Sequence, residues 1–124
     1  MSKIAAWLAV LGTIVLTSYG QIVIKQRVVQ AGSFEGSLGE KLLFLLRVAF
    51  DPWVLSGILA AFVAGFLWIA AMTRLPLNLA YPFMSLTFAL VLLMSGIWLG
   101  EQVSIQRWIG TGIIMLGLIV ANLA

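Results

Sequence analysis

The 124-residue chain contains no cysteine and no histidine, only four carboxylates and only three prolines. Those first two absences exclude disulfides, thiol nucleophiles, Cys/His zinc sites and imidazole acid–base chemistry together. Charged residues make up 9% of the chain, against roughly a quarter in an ordinary soluble domain. That scarcity excludes a disordered chain, a nucleic-acid-binding module and nearly every soluble enzyme. What is present is apolar: 63% of the residues are hydrophobic and the mean hydropathy is +1.16. The expected solvent is lipid. The formal charge of +3 then becomes a question of where a few charges sit across a bilayer.

Marking those charges divides the chain into four charge-free runs, 4–24, 52–73, 75–100 and 108–124. About 20 apolar residues at about 1.5 Å each cross the roughly 30 Å hydrocarbon core. The predicted architecture is an all-α integral membrane domain over 1–124, with spans at about 4–25, 52–73, 78–100 and 105–123. The first run is expected to be a retained helix, not a cleaved leader, because Gln21, Lys25 and Gln26 follow it where a small-residue cleavage site would stand. Asp51-Pro52 pairs an N-cap carboxylate with a proline at the first helical position. Asn78 is the expected cap of the third span, with Pro82 near its first turn, and Ser104 that of the fourth.

Residues 32–36 read as a loop, and 38–50 as a short amphipathic helix. Leu42, Leu45, Leu46 and Ala49 share one face, with Glu40 and Arg47 opposite. A segment this short cannot span a bilayer, so it is expected to lie in the interface plane. The alternative is a loop packed on the helix ends. Lys25, Arg27, Lys41, Arg47 and Arg107 fall on one side of the predicted topology, and Lys3 and Arg74 on the other. The positive-inside rule places the richer side in the cytoplasm and both termini outside.

Polar side chains inside a span are costly and are expected to face an interior or a cavity. In the first span Thr17, Gln21 and Lys25 recur at i, i+4 and i+8, with Ser18 beside them. Two readings of Lys25 stay open: a lysine snorkelling to the interface, or the cationic end of a polar groove suited to a phosphate. Tyr81 and Ser85 are i, i+4 neighbours with Asn78 and Thr87 nearby; they form either part of an aromatic belt or the lining of a polar site. Trp68 lies too deep for a belt and either stacks on a ligand or fills the interior. Trp7, Trp53, Trp98 and Trp108 read as interface or packing residues. Glu101 and Arg107 are six residues apart, and pairing around the turn accounts for both. No carboxylate lies inside any span, which argues against the proton-coupled antiport of cations.

Gly96 and Gly100 form a GxxxG pair, and Gly110 and Gly117 lie roughly on one face of the fourth span. Small residues let helices approach closely in lipid. Four short helices enclose little volume, so self-association or a partner is expected.

The run Leu75-Pro76-Leu77-Asn78-Leu79-Ala80-Tyr81-Pro82-Phe83-Met84-Ser85-Leu86, followed by Gly100-Glu101-Gln102-Val103-Ser104 and Arg107-Trp108-Ile109-Gly110, resembles the drug/metabolite transporter superfamily. Gly20-Gln21 and Lys25-Gln26 are similar to the pairs found in the small subunits of flippases for undecaprenyl phosphate-linked aminoarabinose. Gly110 through Gly117 to Asn122 is similar to the dimerising last helix of small multidrug resistance proteins. The chain departs from those exporters in carrying Thr17 and Ser18 in the region of their glutamate, and in its longer 26–50 connection.

The resemblance implies a bacterial inner-membrane flippase, without cofactor or metal, moving a polyprenyl phosphate-linked sugar or similar head group. It also implies a homodimer or a heterodimer with a paralogue, through Gly110 and Gly117, and no nucleic-acid partner. Motif matches carry Gln21, Lys25, Tyr81, Ser85 and Glu101 over as substrate-binding residues; Arg47 and Trp68 are added from position and chemistry. The competing expectations are a small multidrug or metabolite exporter and a non-catalytic membrane subunit of a larger transporter.

Overall fold

A computed structural model describes residues 1–123 and shows only helices joined by short connections among them. The first helix, α1 (Lys3–Ala31), starts where the Ser2 hydroxyl accepts from the Ala5 amide at 3.1 Å. It stops at Gly32, whose φ of 107° favours glycine. Its 29 residues cover about 44 Å, well beyond the roughly 30 Å hydrocarbon core. The helix therefore runs about two turns past residue 25, where the sequence-based span ends. Lys25, Gln26, Arg27 and Gln30 belong to the last turns of α1, because no helix breaker precedes Gly32.

The amphipathic segment is helical as expected, α2 (Leu38–Ala49), and Ser37 caps it by accepting from the Glu40 amide at 3.2 Å. It docks on the protein through an edge other than the leucine face. Phe44 and Val48 are buried and meet Val54, Ile24, Val28 and Ile58. The face carrying Leu42, Leu45 and Leu46 points away from the protein. Asp51 then caps α3 (Pro52–Met72), accepting from the Trp53 amide at 2.9 Å, with Pro52 in the first turn.

The strongest packing is between α1 and α3. Small residues on both helices, Ala6, Ala9, Ala60 and Ala64, are buried, which lets the backbones approach. Closest contact falls at Gly20 and Gly57, where a Cβ on Gly20 would lie 3.0 Å from the Gly57 carbonyl oxygen. Thr13 Oγ1 donates to its own helix at Ala9 (2.8 Å) and lies 3.3 Å from the Ala64 carbonyl of α3.

The third apolar run is not one uniform helix capped by Asn78. It begins as α4 (Leu77–Ala80) with Pro76 at the cap position and no side-chain cap. It tightens into a 3-10 turn over Tyr81–Ser85 and resumes as α5 (Leu86–Trp98). Pro82 has no N–H to give the carbonyl four residues back, and its ring crowds that carbonyl. Because α5 ends at Trp98, Gly100 falls in the following turn with φ 67°. The expected Gly96–Gly100 pair is thus no helix face. Ser104 caps α6 (Ile105–Ala121) as predicted, accepting from the Arg107 amide at 3.3 Å.

Three segments are long and apolar enough to cross a membrane: Lys3–Ala31, Pro52–Met72 and Leu77–Trp98. Helix α6 is apolar but shorter, and buries none of its described side chains.

Candidate functional site

Along α1, the face carrying Thr17 and Gln21 opens into a cleft of about 690 Å³ bordered by α5 and α6. Ser95 of α5, Thr111 and Arg107 of α6, and Glu101 of the intervening turn supply its other polar groups, and Thr87 of α5 also lines it. Lys25 lies one turn beyond Gln21 and lines an adjoining cavity of about 410 Å³ with Gln26, Gln30, Trp98 and, again, Glu101. Glu101 borders both spaces, so it joins the lysine cavity to the cleft. The turn that holds it is fixed by the Glu101 amide donating to the Ser95 carbonyl at 3.1 Å.

On the other side of Thr17 a third cavity, about 300 Å³, is lined by Thr13, Trp68, Tyr81 and Met84. The indole of Trp68 and the ring of Tyr81 meet edge to face at 6.0 Å. The 3-10 turn after α4 brings Tyr81 to this position. Ser85, at the end of that turn, has a buried hydroxyl without a hydrogen-bond partner, as does Thr87.

Gln21, Lys25, Trp68, Tyr81 and Glu101 thus line a chain of neighbouring cavities that share Thr17 and Glu101. Ser85 lines none of the three but sits on the element that positions Tyr81. Arg47 stands apart. It lines a separate cavity of about 300 Å³ with Arg27, Ala31, Val48 and Asp51. Gly110 borders the large cleft, whereas Gly117 is exposed, and a Cβ at either would meet nothing within 4 Å.

Glu101 and Arg107 face the same cleft, but no ion pair joins them; the salt bridge found among the described residues links Arg27 and Asp51 at 2.8 Å. The cleft's two opposite charges are therefore not neutralised by each other. Trp98, read from sequence as a belt or packing residue, lines the lysine cavity.

Sequence reasoning passed over Ser95, Thr111 and Arg27. A signal existed for the hydroxyls: Thr87 and Ser95 are eight apart on α5, and Arg107 and Thr111 are i, i+4 on α6, which places each pair on one helix face. Arg27 meets Asp51 across 24 residues of chain, a separation that local periodicity does not reveal.

A helical chain with long apolar spans and an open-sided cleft between them is built as a multi-pass membrane protein, and its family makes it a transporter. It belongs to the EamA-like transporter family, whose model matches residues 2–123. The chain is similar to the probable 4-amino-4-deoxy-L-arabinose-phosphoundecaprenol flippase subunit ArnE of Aeromonas salmonicida (strain A449), at 36% identity over 102 residues, 82% of this chain and 83% of that protein. It is also 30% identical to a protein with the same name from Yersinia pestis (strain Pestoides F) over 117 residues, 94% of this chain and 96% of the relative. No solved structure is a significant match to the chain.

Proposed function

We propose that this chain translocates a polyprenyl phosphate-linked sugar across the bacterial inner membrane, its cargo being an amino sugar of the kind in the relatives' names. The observation that carries this reading is the cavity shared by Lys25 and Glu101, which borders the larger cleft at Glu101. A phosphate needs a cation, and a sugar amine needs a carboxylate. Both are present at one mouth, and the sugar's hydroxyls find Gln21, Ser95 and Thr111 along the way.

Moving a bare phosphate into hydrocarbon costs several kcal/mol or more. Pairing with Lys25 offsets much of that while the prenyl chain stays in lipid. Trp68 and Tyr81 then offer an aromatic wall at the far end of the cavity series, with Ser85 supporting the turn. Arg47, in its own cavity, acts at the interface where lipids arrive and not against the phosphate bound at Lys25. Translocation needs no covalent step, so the protein is not an enzyme.

The membrane arrangement proposed is four spans, α1, α3, the α4–α5 segment and α6, with α2 in the interface plane and both termini periplasmic. At 17 residues, α6 covers about 26 Å, enough to cross with a few uncharged flanking residues. The relatives are named as subunits. A second chain, identical or paralogous, is proposed to cover α6 through Gly110 and Gly117 and to close the open cleft.

Reconstituted protein tests this. Lys25→Ala is expected to reduce the lipid-linked amino sugar reaching the outer leaflet at least about tenfold, the scale of one lost charged contact. Unchanged translocation with normally folded protein removes the central residue of the mechanism.

A further inference from the structure

On the opposite side of α1 from the lysine cavity lies a second basic recess, formed by the last turns of α1, by α2 and by the start of α3. Arg27, Ala31, Arg47, Val48 and Asp51 line its roughly 300 Å³. Arg27 gives two hydrogen bonds to one oxygen of Asp51, from Nη2 at 2.8 Å and from Nε at 3.2 Å. A further hydrogen bond runs from its Nη1 to Gln30 at 2.9 Å. The other Asp51 oxygen accepts from the Trp53 amide. Its carboxylate is therefore fully engaged by Arg27 and the helix start. Arg47 has no hydrogen bond or ion pair among the described residues. The recess keeps one uncompensated guanidinium, held beside a neutralised pair.

The other face of the same helix identifies the ligand. Helix α2 docks on the protein through Phe44 and Val48, while Leu42, Leu45 and Leu46 remain 53%, 51% and 58% exposed. Phe50, at the end of the same helix, is 73% exposed. Arg47 stands on the polar face of α2, opposite those leucines, so an anion held there lies at head-group level while the leucine face enters the acyl layer. A soluble phosphate would use only the charge.

We propose that the Arg47 recess holds the phosphate of an anionic glycerophospholipid of the surrounding leaflet, a site separate from the cleft and independent of its cargo. Arg47 supplies the fork of N–H donors that a phosphate accepts in pairs. Arg27, pinned by Asp51, forms the rigid wall of the recess, and the α2 leucines, on the helix face opposite Arg47, set the depth of the helix so that the recess meets the head-group layer. The same occupancy would hold α2 in the interface plane.

Native mass spectrometry of the purified protein, offered equal phosphatidylglycerol and phosphatidylcholine, tests the site. The unaltered protein is expected to retain phosphatidylglycerol about fivefold over phosphatidylcholine, the scale of one basic residue near an anionic surface. Arg47→Gln, a change on an exposed side chain, is expected to bring that ratio close to one. Arg47→Lys is expected to lie between, because it keeps charge but loses the planar fork. Lys25→Gln is expected to leave the preference in place, and millimolar inorganic phosphate is expected not to displace the lipid. Equal retention of the two lipids overturns the proposal, as does an unchanged preference in Arg47→Gln. Loss of the preference in Lys25→Gln moves the lipid to the cleft, and displacement by inorganic phosphate makes the site one for a soluble anion; either result also overturns it.

Discussion

Asp51 carries two structural duties with its two oxygens, capping α3 at Trp53 and receiving Arg27 from α1. The hydrogen bond from Arg27, helped by the Trp53 amide, holds its carboxyl below the usual carboxylate range. A lowered folded-state value means its contribution is complete above the unfolded-state value of about 3.9 and is lost as pH falls through the folded value. Thermal midpoints in detergent are therefore expected to be insensitive to this group between pH 7 and 5, and to fall in more strongly acidic solution. Asp51→Asn keeps a good cap, whereas Asp51→Ala loses the cap as well, so the alanine variant is expected to be about 1 kcal/mol less stable than the asparagine one. Glu101 contrasts with it, because it is exposed in the cleft and unpaired with Arg107. Glu101→Gln is expected to change stability by no more than about 0.5 kcal/mol while lowering transport of the amino-sugar lipid, measured in the same preparation. At this scale the Thr17–Gln21–Lys25 stripe was legible, since helical periodicity alone aligns it. The Arg27–Asp51 bridge was not, because it joins two helices through a connection whose path the local pattern does not specify.

Among the elements, the α1–α3 pair depends on Gly20 and Gly57 having no side chains where the helices cross. A valine at Gly20 would place its Cβ 3.0 Å from the Gly57 carbonyl oxygen and add two methyls at the same crossing. Backbone cannot yield as a flexible side chain does. Gly20→Val is expected to cost about 1–3 kcal/mol, read as a lowered unfolding midpoint in detergent. Such a change would also shift the Thr17–Gln21 face of α1 relative to α5. The Pro82 turn illustrates the limit of local reading. Proline near a helix start was expected to be cheap, and a helix does begin nearby at Leu77. Pro82 nevertheless falls at the sixth residue, late enough to convert Tyr81–Ser85 to 3-10 geometry. Helix α2 was predicted by its amphipathic spacing, but the wheel could not say which of two apolar edges meets the protein. Phe44 and Val48 do so because they alone face the pocket left by Ile24, Val28 and Val54.

For the whole molecule, the uneven burial of its helices is the controlling fact. Helix α1 is anchored along its length, whereas α6 closes one side of the cleft without burying a described side chain. A helix so placed is held by lipid or by another chain. Gly117→Leu is expected to leave the fold intact, since nothing lies within 4 Å of the added Cβ. It is expected to weaken association by about 1 kcal/mol or more if that face packs on a partner, measured by sedimentation equilibrium in detergent. Orientation is also testable, because the chain has no cysteine of its own. Ser2→Cys is expected to react with an impermeant maleimide from the periplasmic side and Ser33→Cys from the cytoplasmic side, following the Lys/Arg bias.

Composition and the spacing of a few charges were enough to establish a helical membrane protein, its apolar runs, the caps Asp51 and Ser104 and the polar stripe of α1. Those features depend on hydropathy, helical period and neighbouring residues, all local along the chain. Only the folded structure decided that Lys25 shares a cavity with Glu101 and not with Arg47, and that Arg27 is tied to Asp51. Which residues share a cavity depends on how helices rotate and cross, and here a contact between two glycines far apart in sequence sets how closely α1 and α3 approach.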